Sequence, residues 1–223
     1  MGEDPSQQTT IDYYSDVLCV WAWIAQPRLE ELEKQWGTQV ALRHRCVDIF
    51  GDAHRKISSK WGEQDGFLNF GKHIVEAAAP FELAVVNDRC WNSEKPHSST
   101  PAHLVIKSAE IVAGAEAARD FALRVRRAFF VDAVDIGLVP RLLELAEEAG
   151  IEPGSLENAL RDGRAAAGLS RDQRTANDHG VKGSPTWVLN EGTQILYGNV
   201  GYRNLSANNE ELLKNPGNDA SWC

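Results

Sequence analysis

Apolar and polar residues alternate over residues 9–14, TTIDYY, and again over residues 38–50, TQVALRHRCVDIF. Alternation with a period of two predicts a β-strand in each segment. Between them, apolar residues recur every three or four positions from Trp21 to Trp36, and Gly37 follows, which predicts a helix that ends at that glycine. A helix between two strands in so short a segment indicates a βαβ unit with parallel strands and a right-handed crossover.

The pattern changes after this unit. Residues 51–100 are polar and contain the loop-forming sequence NSEKPHSSTP, so we expect mainly loops there. Helical spacing returns over residues 102–177 and predicts a helical region. Two short strands are predicted at residues 185–190 and 194–198, and an amphipathic helix over residues 203–213 ends the regular pattern.

Composition narrows the range of functions. Hydrophobic residues make up 43% of the 223 residues, which is ordinary for a globular protein. The net charge of −9 argues against a nucleic-acid-binding surface, which needs clustered basic residues. The acidic, polar start MGEDPSQQTT lacks the features of a secretory signal, and charged residues interrupt every apolar segment. We therefore expect a cytoplasmic protein without nucleic-acid or membrane partners.

The cysteines offer the most specific candidate chemistry. The four of them lie far apart, and no two form a CxxC pair. This spacing indicates neither a disulfide framework nor a zinc site, and the scattered histidines indicate no other metal site. Cys19 stands where the first predicted strand ends and the helix begins, in DYYSDVLCVWAWIAQP, and Ala22 occupies the position of a second redox cysteine. Cys19 is thus either a reactive, nucleophilic thiol or a small buried residue with a structural role.

Two sequence motifs lie near the two ends of the predicted series of strands and helices: SDVLCVWAW after the first strand and HGVKGSPTWVLN at the third. Together they resemble the DsbA-like thioredoxin family, including its FrnE-related cytoplasmic members and the 2-hydroxychromene-2-carboxylate isomerases, over residues 9–213. In that family the first motif is usually D-x-x-C-P-W-C; Asp16, Cys19 and Trp21 match it, whereas Ala22 replaces the second cysteine. The second motif is usually G-V-x-G-V-P-T, and five residues match it: Gly180, Val181, Gly183, Pro185 and Thr186.

The resemblance implies an α/β protein with a thioredoxin-like fold, βαβ then ββα, and a large helical insertion. Residues 9–50 and 180–213 would form the thioredoxin-like domain, and residues 51–179 would form the inserted helical subdomain. The tail that follows, residues 214–223, is expected to be mobile.

The resemblance also implies a substrate site around the second motif. Pro185 would be in the cis form beside Cys19, and Ser184 and Thr186 would help to bind an incoming peptide or glutathione as an added strand. Trp21, next to Cys19, is the candidate for lining an apolar substrate groove. The other tryptophans of the two motifs are predicted to be core residues: Trp23 and Trp187.

The position of Cys19 predicts its chemistry. A thiol in the first turn of a helix lies near unpaired backbone N–H groups and the positive end of the helix dipole, so its pKa is expected to fall. A single thiol cannot close its own disulfide, so it forms a mixed disulfide that another thiol must resolve. Of the other cysteines, Cys46 is predicted to be a core residue, while Cys90 and Cys223 stay open as resolving thiols.

Four further polar residues are candidates for the site. His103 opens a helix and matches a histidine common in the FrnE-like pattern, so we expect it to face the cleft. His179 precedes the second motif, where it would stabilise a thiolate or act as a general base, or else only end a helix. Lys182 and Asn199 are candidates for binding a glutathione carboxylate, with plain surface residues as the alternative.

The favoured hypothesis is a DsbA-like thiol–disulfide oxidoreductase or isomerase that acts through Cys19 alone. It would hold no tightly bound cofactor, and its partners would be glutathione as co-substrate or the thiols and disulfides of proteins and peptides. One alternative is a glutathione-dependent isomerase or transferase of the 2-hydroxychromene-2-carboxylate isomerase or kappa-class type. Another is a non-catalytic thioredoxin-like module that binds a peptide beside Pro185. The apolar helices can supply a homodimer interface.

Overall fold

The structure is a computed structural model that describes residues 8–215, so the predicted tail from residue 216 onward lies outside it. The strands are β1 (Thr9–Ser15), β2 (Val40–Cys46), β3 (Thr186–Leu189) and β4 (Gln194–Tyr197). The helices are α1 (Val20–Trp36), α2 (Ala53–Trp61), α3 (Gly66–Ala78), α4 (Thr100–Phe130), α5 (Val139–Glu148), α6 (Pro153–Arg161), α7 (Arg164–Asp178) and α8 (Tyr202–Lys214). None of these helices combines the length and the hydropathy that a membrane span requires.

The four strands form one sheet in the order β2-β1-β3-β4. β1 and β2 are parallel, with Thr9 opposite Val40 at one end and Ser15 opposite Cys46 at the other. β3 is antiparallel to both β1 and β4. The predicted βαβ unit and the predicted final pair of strands are therefore confirmed, and the fold is thioredoxin-like.

Alternate side chains of β1 pack against helices on opposite faces of the sheet. Ile11 and Tyr13 are fully buried in a cluster that includes Leu29 of α1 and Leu205 of α8. Tyr14 lies on the other face, in a smaller cluster with Ala176 of α7. Helices on both faces therefore fix the carboxyl end of β1, where Cys19 follows.

Helices α2 to α7 lie between β2 and β3 in the chain. α4 packs against α5, α6 and α7, and its buried residues join those at the start of α1 in one large apolar cluster. Within α4, Gly114 has a φ of 91° and a ψ of 172°, which interrupts the helix. Glycine suits this position because other residues rarely adopt such a backbone conformation.

The expectation of mainly loops over residues 51–100 is wrong, because α2 and α3 lie there. Asp52 begins α2 by accepting a hydrogen bond, over 3.1 Å, from the backbone N–H three residues later. In α3, Ile74 and Ala78 are buried four residues apart on one face. α2 is polar overall, whereas α3 has apolar residues at helical spacing, at Phe67, Phe70, Ile74 and Ala78. The polar composition of residues 51–100 as a whole concealed this pattern.

β2 is shorter than the strand predicted over residues 38–50. The segment Gly37–Gln39 forms a 3-10 turn before it. After it, the backbone N–H groups of Ile49 and Phe50 donate to the carboxylate of Asp16, over 3.0 Å and 2.9 Å. The chain therefore leaves the sheet to contact the start of α1.

Candidate active site

Cys19 occupies the junction between β1 and α1 as the N-cap residue of the helix. Its backbone N–H donates to the Asp16 carbonyl oxygen over 3.1 Å, and its carbonyl oxygen accepts the N–H groups of Ala22 and Trp23, each over 3.1 Å. These bonds close the turn that leads into the helix. The Cys19 side chain is buried, with the residue only 6% exposed.

The loop before β3 lies against this turn. The Ser184–Pro185 peptide bond is cis. The Cys19 thiol donates to the Ser184 carbonyl oxygen over 3.1 Å, and the Asp16 backbone N–H donates to the Ser184 hydroxyl over 2.9 Å. Thr186 is buried, and its hydroxyl donates to the carbonyl oxygen three residues earlier, over 2.9 Å. The structure thus places the two predicted motifs in direct contact.

The surroundings of Cys19 oppose its ionisation. Burial raises the pKa of the Cys19 thiol, and the nearby Asp16 carboxylate acts in the same direction. Hydrogen bonds from the Ser184 side chain and from the backbone near Trp21 and Ala22 act the other way without reversing the shift. The expected fall in the pKa of Cys19 is therefore wrong for this structure, because desolvation outweighs the helix N-terminus.

Asp16 lies beneath the turn and is completely buried. One carboxylate oxygen accepts the Leu18 backbone N–H over 2.9 Å. The other accepts the N–H groups of Ile49 and Phe50 and the Ser99 hydroxyl, which donates over 2.8 Å. Four donors satisfy the buried carboxylate and join the start of α1 to two other loops. An acidic residue directly after a buried strand was the sequence signal for this role.

His103 lies behind the turn and is only 1% exposed, so it does not face an open cleft as expected. The Val17 backbone N–H donates to its Nε2 atom over 3.2 Å, which requires that Nε2 carry no proton. Burial lowers the pKa of His103, although the Asp16 carboxylate, 3.9 Å from Nε2, acts in the opposite direction. The neutral ring therefore holds the segment that leads to Cys19.

The tryptophans divide as predicted between surface and core. Trp21 is 37% exposed beside Cys19. Trp23 and Trp187 are buried. The Trp23 ring stacks on Phe130 with centroids 5.9 Å apart, and its indole N–H donates to the Val85 carbonyl oxygen over 3.0 Å.

The structure shows no direct contact between Cys19 and three other predicted site residues, of which two belong to the second motif and one follows β4. His179 follows α7, and its Nδ1 atom is 3.4 Å from the Tyr14 hydroxyl. Lys182 is exposed and lines a cavity of about 330 Å³ that also reaches Asp48. Asn199 is exposed next to β4. Of the second motif, the segment from Ser184 to Thr186 is therefore the part that lies against the turn at Cys19.

The other described cysteines are buried thiols. Cys46 ends β2, and burial raises its pKa to about 12, which confirms it as a core residue. Cys90 is fully buried, and its thiol donates to the Phe129 carbonyl oxygen over 3.0 Å. Burial raises the pKa of Cys90 to about 12 as well. Within residues 8–215 all three cysteines are unpaired, and Cys223 lies outside that range.

The sequence model of the DSBA-like thioredoxin domain family matches residues 10–208, which is most of the chain. The chain belongs to this family, whose members are thiol–disulfide oxidoreductases. No curated protein sequence matches the chain significantly.

Solved structures share the fold at low sequence identity. A candidate protein disulfide isomerase from Nitrosomonas europaea is 16% identical with a TM-score of 0.75, over 95% of this chain and 100% of that one. The cytosolic disulfide reductase DsbM from Pseudomonas aeruginosa is 19% identical with a TM-score of 0.67, over 91% and 99%. It has also been solved with glutathione. A 2-hydroxychromene-2-carboxylate isomerase is 16% identical with a TM-score of 0.62, over 93% and 97%.

Proposed function

We propose that this protein exchanges thiols and disulfides through Cys19 alone, by a mixed disulfide with glutathione or with a protein thiol. The supporting observation is the position of the Cys19 thiol, at the N-cap of α1 and 3.1 Å from the Ser184 carbonyl oxygen. A substrate strand paired with the backbone at Ser184 would bring its sulfur to this thiol. Trp21, exposed beside Cys19, would cover an apolar part of that substrate.

The proposed exchange has two balanced steps. Cys19 loses its proton to solvent, and its thiolate attacks one sulfur of a disulfide; the new disulfide bond forms as the other sulfur leaves as a thiolate. A second thiolate, such as that of glutathione, then attacks the substrate sulfur of the mixed disulfide and releases Cys19. Because Ala22 has no sulfur, this second thiol comes from outside the motif.

Burial of Cys19 limits the rate of the first step. Its raised pKa keeps the thiol protonated at neutral pH, so we expect slow exchange there and faster exchange as the pH rises. The cytoplasm is the proposed site of action, because glutathione is available there as the second thiol.

The test is to incubate the reduced protein with oxidised glutathione at several pH values and to locate the adduct by peptide mass spectrometry. We expect an adduct on Cys19 that forms faster at higher pH and that reduced glutathione removes. Cys46→Ser is the matched control, since it removes a buried thiol outside the site, and it should leave the adduct unchanged. A folded wild-type protein that gains no adduct on Cys19 at any pH, including values well above about 9 where ordinary thiols are fully ionised, would contradict the proposal.

A second candidate function is a non-catalytic module that binds a peptide beside Pro185. The raised pKa of Cys19 favours this candidate, because an unactivated thiol is typical of a structural cysteine. The two functions separate in one comparison. Cys19→Ser should abolish exchange under the first, whereas peptide binding should survive that substitution under the second.

A further inference from the structure

A cavity of about 800 Å³ lies between the outer edge of β2 and helix α4. β2 is an edge strand, so no other strand covers this side of the sheet. The cavity has an apolar wall formed by Leu42, Ile106 and Ala122. Several basic side chains line the same space. A cavity of this volume suits an organic molecule rather than a single ion.

Arg126 of α4 lines this cavity and is only 2% exposed. Its Nη2 atom donates to the Ser15 hydroxyl over 2.7 Å. Its Nε and Nη1 atoms are buried and have no hydrogen-bond partner among residues 8–215. A buried guanidinium with two nitrogens that lack hydrogen bonds is unfavourable, because the charge has lost its contacts with water. An anionic acceptor that bonds to these nitrogens would remove this cost.

The other basic residues of the cavity have acidic partners. Arg43 and Arg45 both pair with Asp12, over 2.6 Å and 2.8 Å. Lys107 lies 3.1 Å from the Asp172 carboxylate. Arg119 pairs with Glu33. Two carboxylates also line the cavity: Glu110, which pairs with Lys107, and Glu116. Within residues 8–215, the structure gives Arg126 no carboxylate in direct contact, so its guanidinium is the cation of this cavity that lacks an ionic partner.

His44 of β2 adds a second unsatisfied group to the wall. Its Nε2 atom is buried without a hydrogen-bond partner, and its ring packs edge-on against Tyr13 with centroids 5.4 Å apart. Burial lowers the pKa of His44 to about 3, and the charges of Arg126 and Arg119 contribute to this shift. A neutral imidazole donates from one nitrogen, so His44 can also serve an anionic acceptor.

We propose that this cavity binds an organic anion that has one carboxylate and an apolar body. The carboxylate would accept hydrogen bonds from Arg126, with His44 as a second donor, and the body would lie against Leu42, Ile106 and Ala122. The carboxylate would give the Arg126 guanidinium the ionic partner that it lacks, whereas a polyphosphate would bring further negative charges close to Glu110 and Glu116, which line the same cavity. Most of this site lies on the β2 edge and α4, with Ser15 and Val17 near the end of β1 at its border. The exchange proposed at Cys19 does not require it to be occupied.

Calorimetric titration with decanoate, 1-decanol and inorganic phosphate tests the proposal. We expect decanoate to bind in preference to both other probes, because it alone has the anionic group and the apolar body. Arg126→Met should weaken decanoate binding at least about tenfold, the usual effect of losing a charged hydrogen bond. The matched control is Arg119→Met, which removes a cavity arginine that already has a partner and should change the affinity less than about threefold.

Two further variants locate the site. Ala115→Phe fills the rim of the cavity from an exposed position and should block decanoate even if Arg126→Met fails to fold. Cys19→Ser should leave decanoate binding unchanged. The proposal would be overturned if decanoate and 1-decanol bound equally, or if decanoate did not bind at millimolar concentration. It would also be overturned if folded Arg126→Met or folded Ala115→Phe bound decanoate as tightly as the wild type does.

Discussion

The Cys19 thiol donates a hydrogen bond to the Ser184 carbonyl oxygen over 3.1 Å, although the two residues are 165 positions apart in the chain. The contact joins the first turn of α1 to the loop before β3. It also places the thiol at the backbone that a substrate strand would use. The sulfur is also buried there. The thiol is therefore well placed to meet a substrate, but burial raises its pKa and opposes its ionisation.

The first prediction concerns the reactivity of Cys19. Alkylation by iodoacetamide should be slower at about pH 7 than that of free glutathione, and its rate should still rise above about pH 9, because burial raises the pKa of this thiol. The measurement is the rate at each pH, read from the Cys19 peptide by mass spectrometry in a Cys223→Ser background. A rate that reaches its plateau below neutral pH would show that the thiol is activated and that the raised pKa is wrong.

The second prediction concerns Asp16. Asp16→Asn should lower the free energy of unfolding by about 3 kcal/mol, since an amide group would present its own N–H donors to the backbone N–H groups that the carboxylate now accepts. Urea unfolding measures the change. The matched control is Asp48→Asn, an exposed carboxylate that accepts one backbone N–H over 2.7 Å, which should cost less than about 1 kcal/mol. Equal losses in the two variants would rule out the special role of Asp16.

The third prediction concerns pH and His103. Its folded-state pKa is below the ordinary value, so the unfolded chain binds the proton more readily. The stability due to neutral His103 is therefore fully present above about pH 6.5 and is lost as the pH falls below it, by at most about 1.4 kcal/mol per pH unit. His44, with a pKa lowered to about 3, adds a loss of the same sign.

Unfolding free energies between about pH 7.5 and 5, compared for wild type and His103→Leu, measure this contribution. The variant should be less stable at neutral pH, because the Val17 N–H loses its acceptor. It should also lose stability less steeply as the pH falls. A slope as steep as that of the wild type would show that His103 is not the titrating group.

The strongly patterned parts of the fold could be predicted from the sequence. Period-two alternation located β1 and, with bounds that were too wide, β2. Strand-forming residues on both sides of a turn located β3 and β4, and the helical spacing up to Trp36 located α1. The closeness of Cys19 to the segment at Ser184 and Pro185 was implied by the resemblance of the two motifs to the DsbA-like family, and the sheet, with β1 beside β3, accounts for it.

Other features depend on three-dimensional surroundings. α2 and α3 are short and stand between polar, loop-forming segments, so the overall composition of residues 51–100 concealed the helical spacing that α3 carries. The pKa of Cys19 was predicted in the wrong direction because spacing shows the helix N-terminus but not the depth of burial. The unsatisfied nitrogens of Arg126 depend on what packs around α4, and a single arginine in a helical stretch carries no signal of that.

The last prediction concerns Ala22, which is fully buried one helical turn after Cys19. Ala22→Cys should restore a dithiol: oxidised glutathione should give a protein two hydrogens lighter, with an internal disulfide, instead of a lasting glutathione adduct. Intact mass spectrometry distinguishes the two products, and adding Cys19→Ser should abolish the internal disulfide. If the folded Ala22→Cys variant kept its adduct as long as the wild type does, a missing second thiol would not explain the single-cysteine chemistry. Shielding of the mixed disulfide by the surrounding core would then be the better explanation.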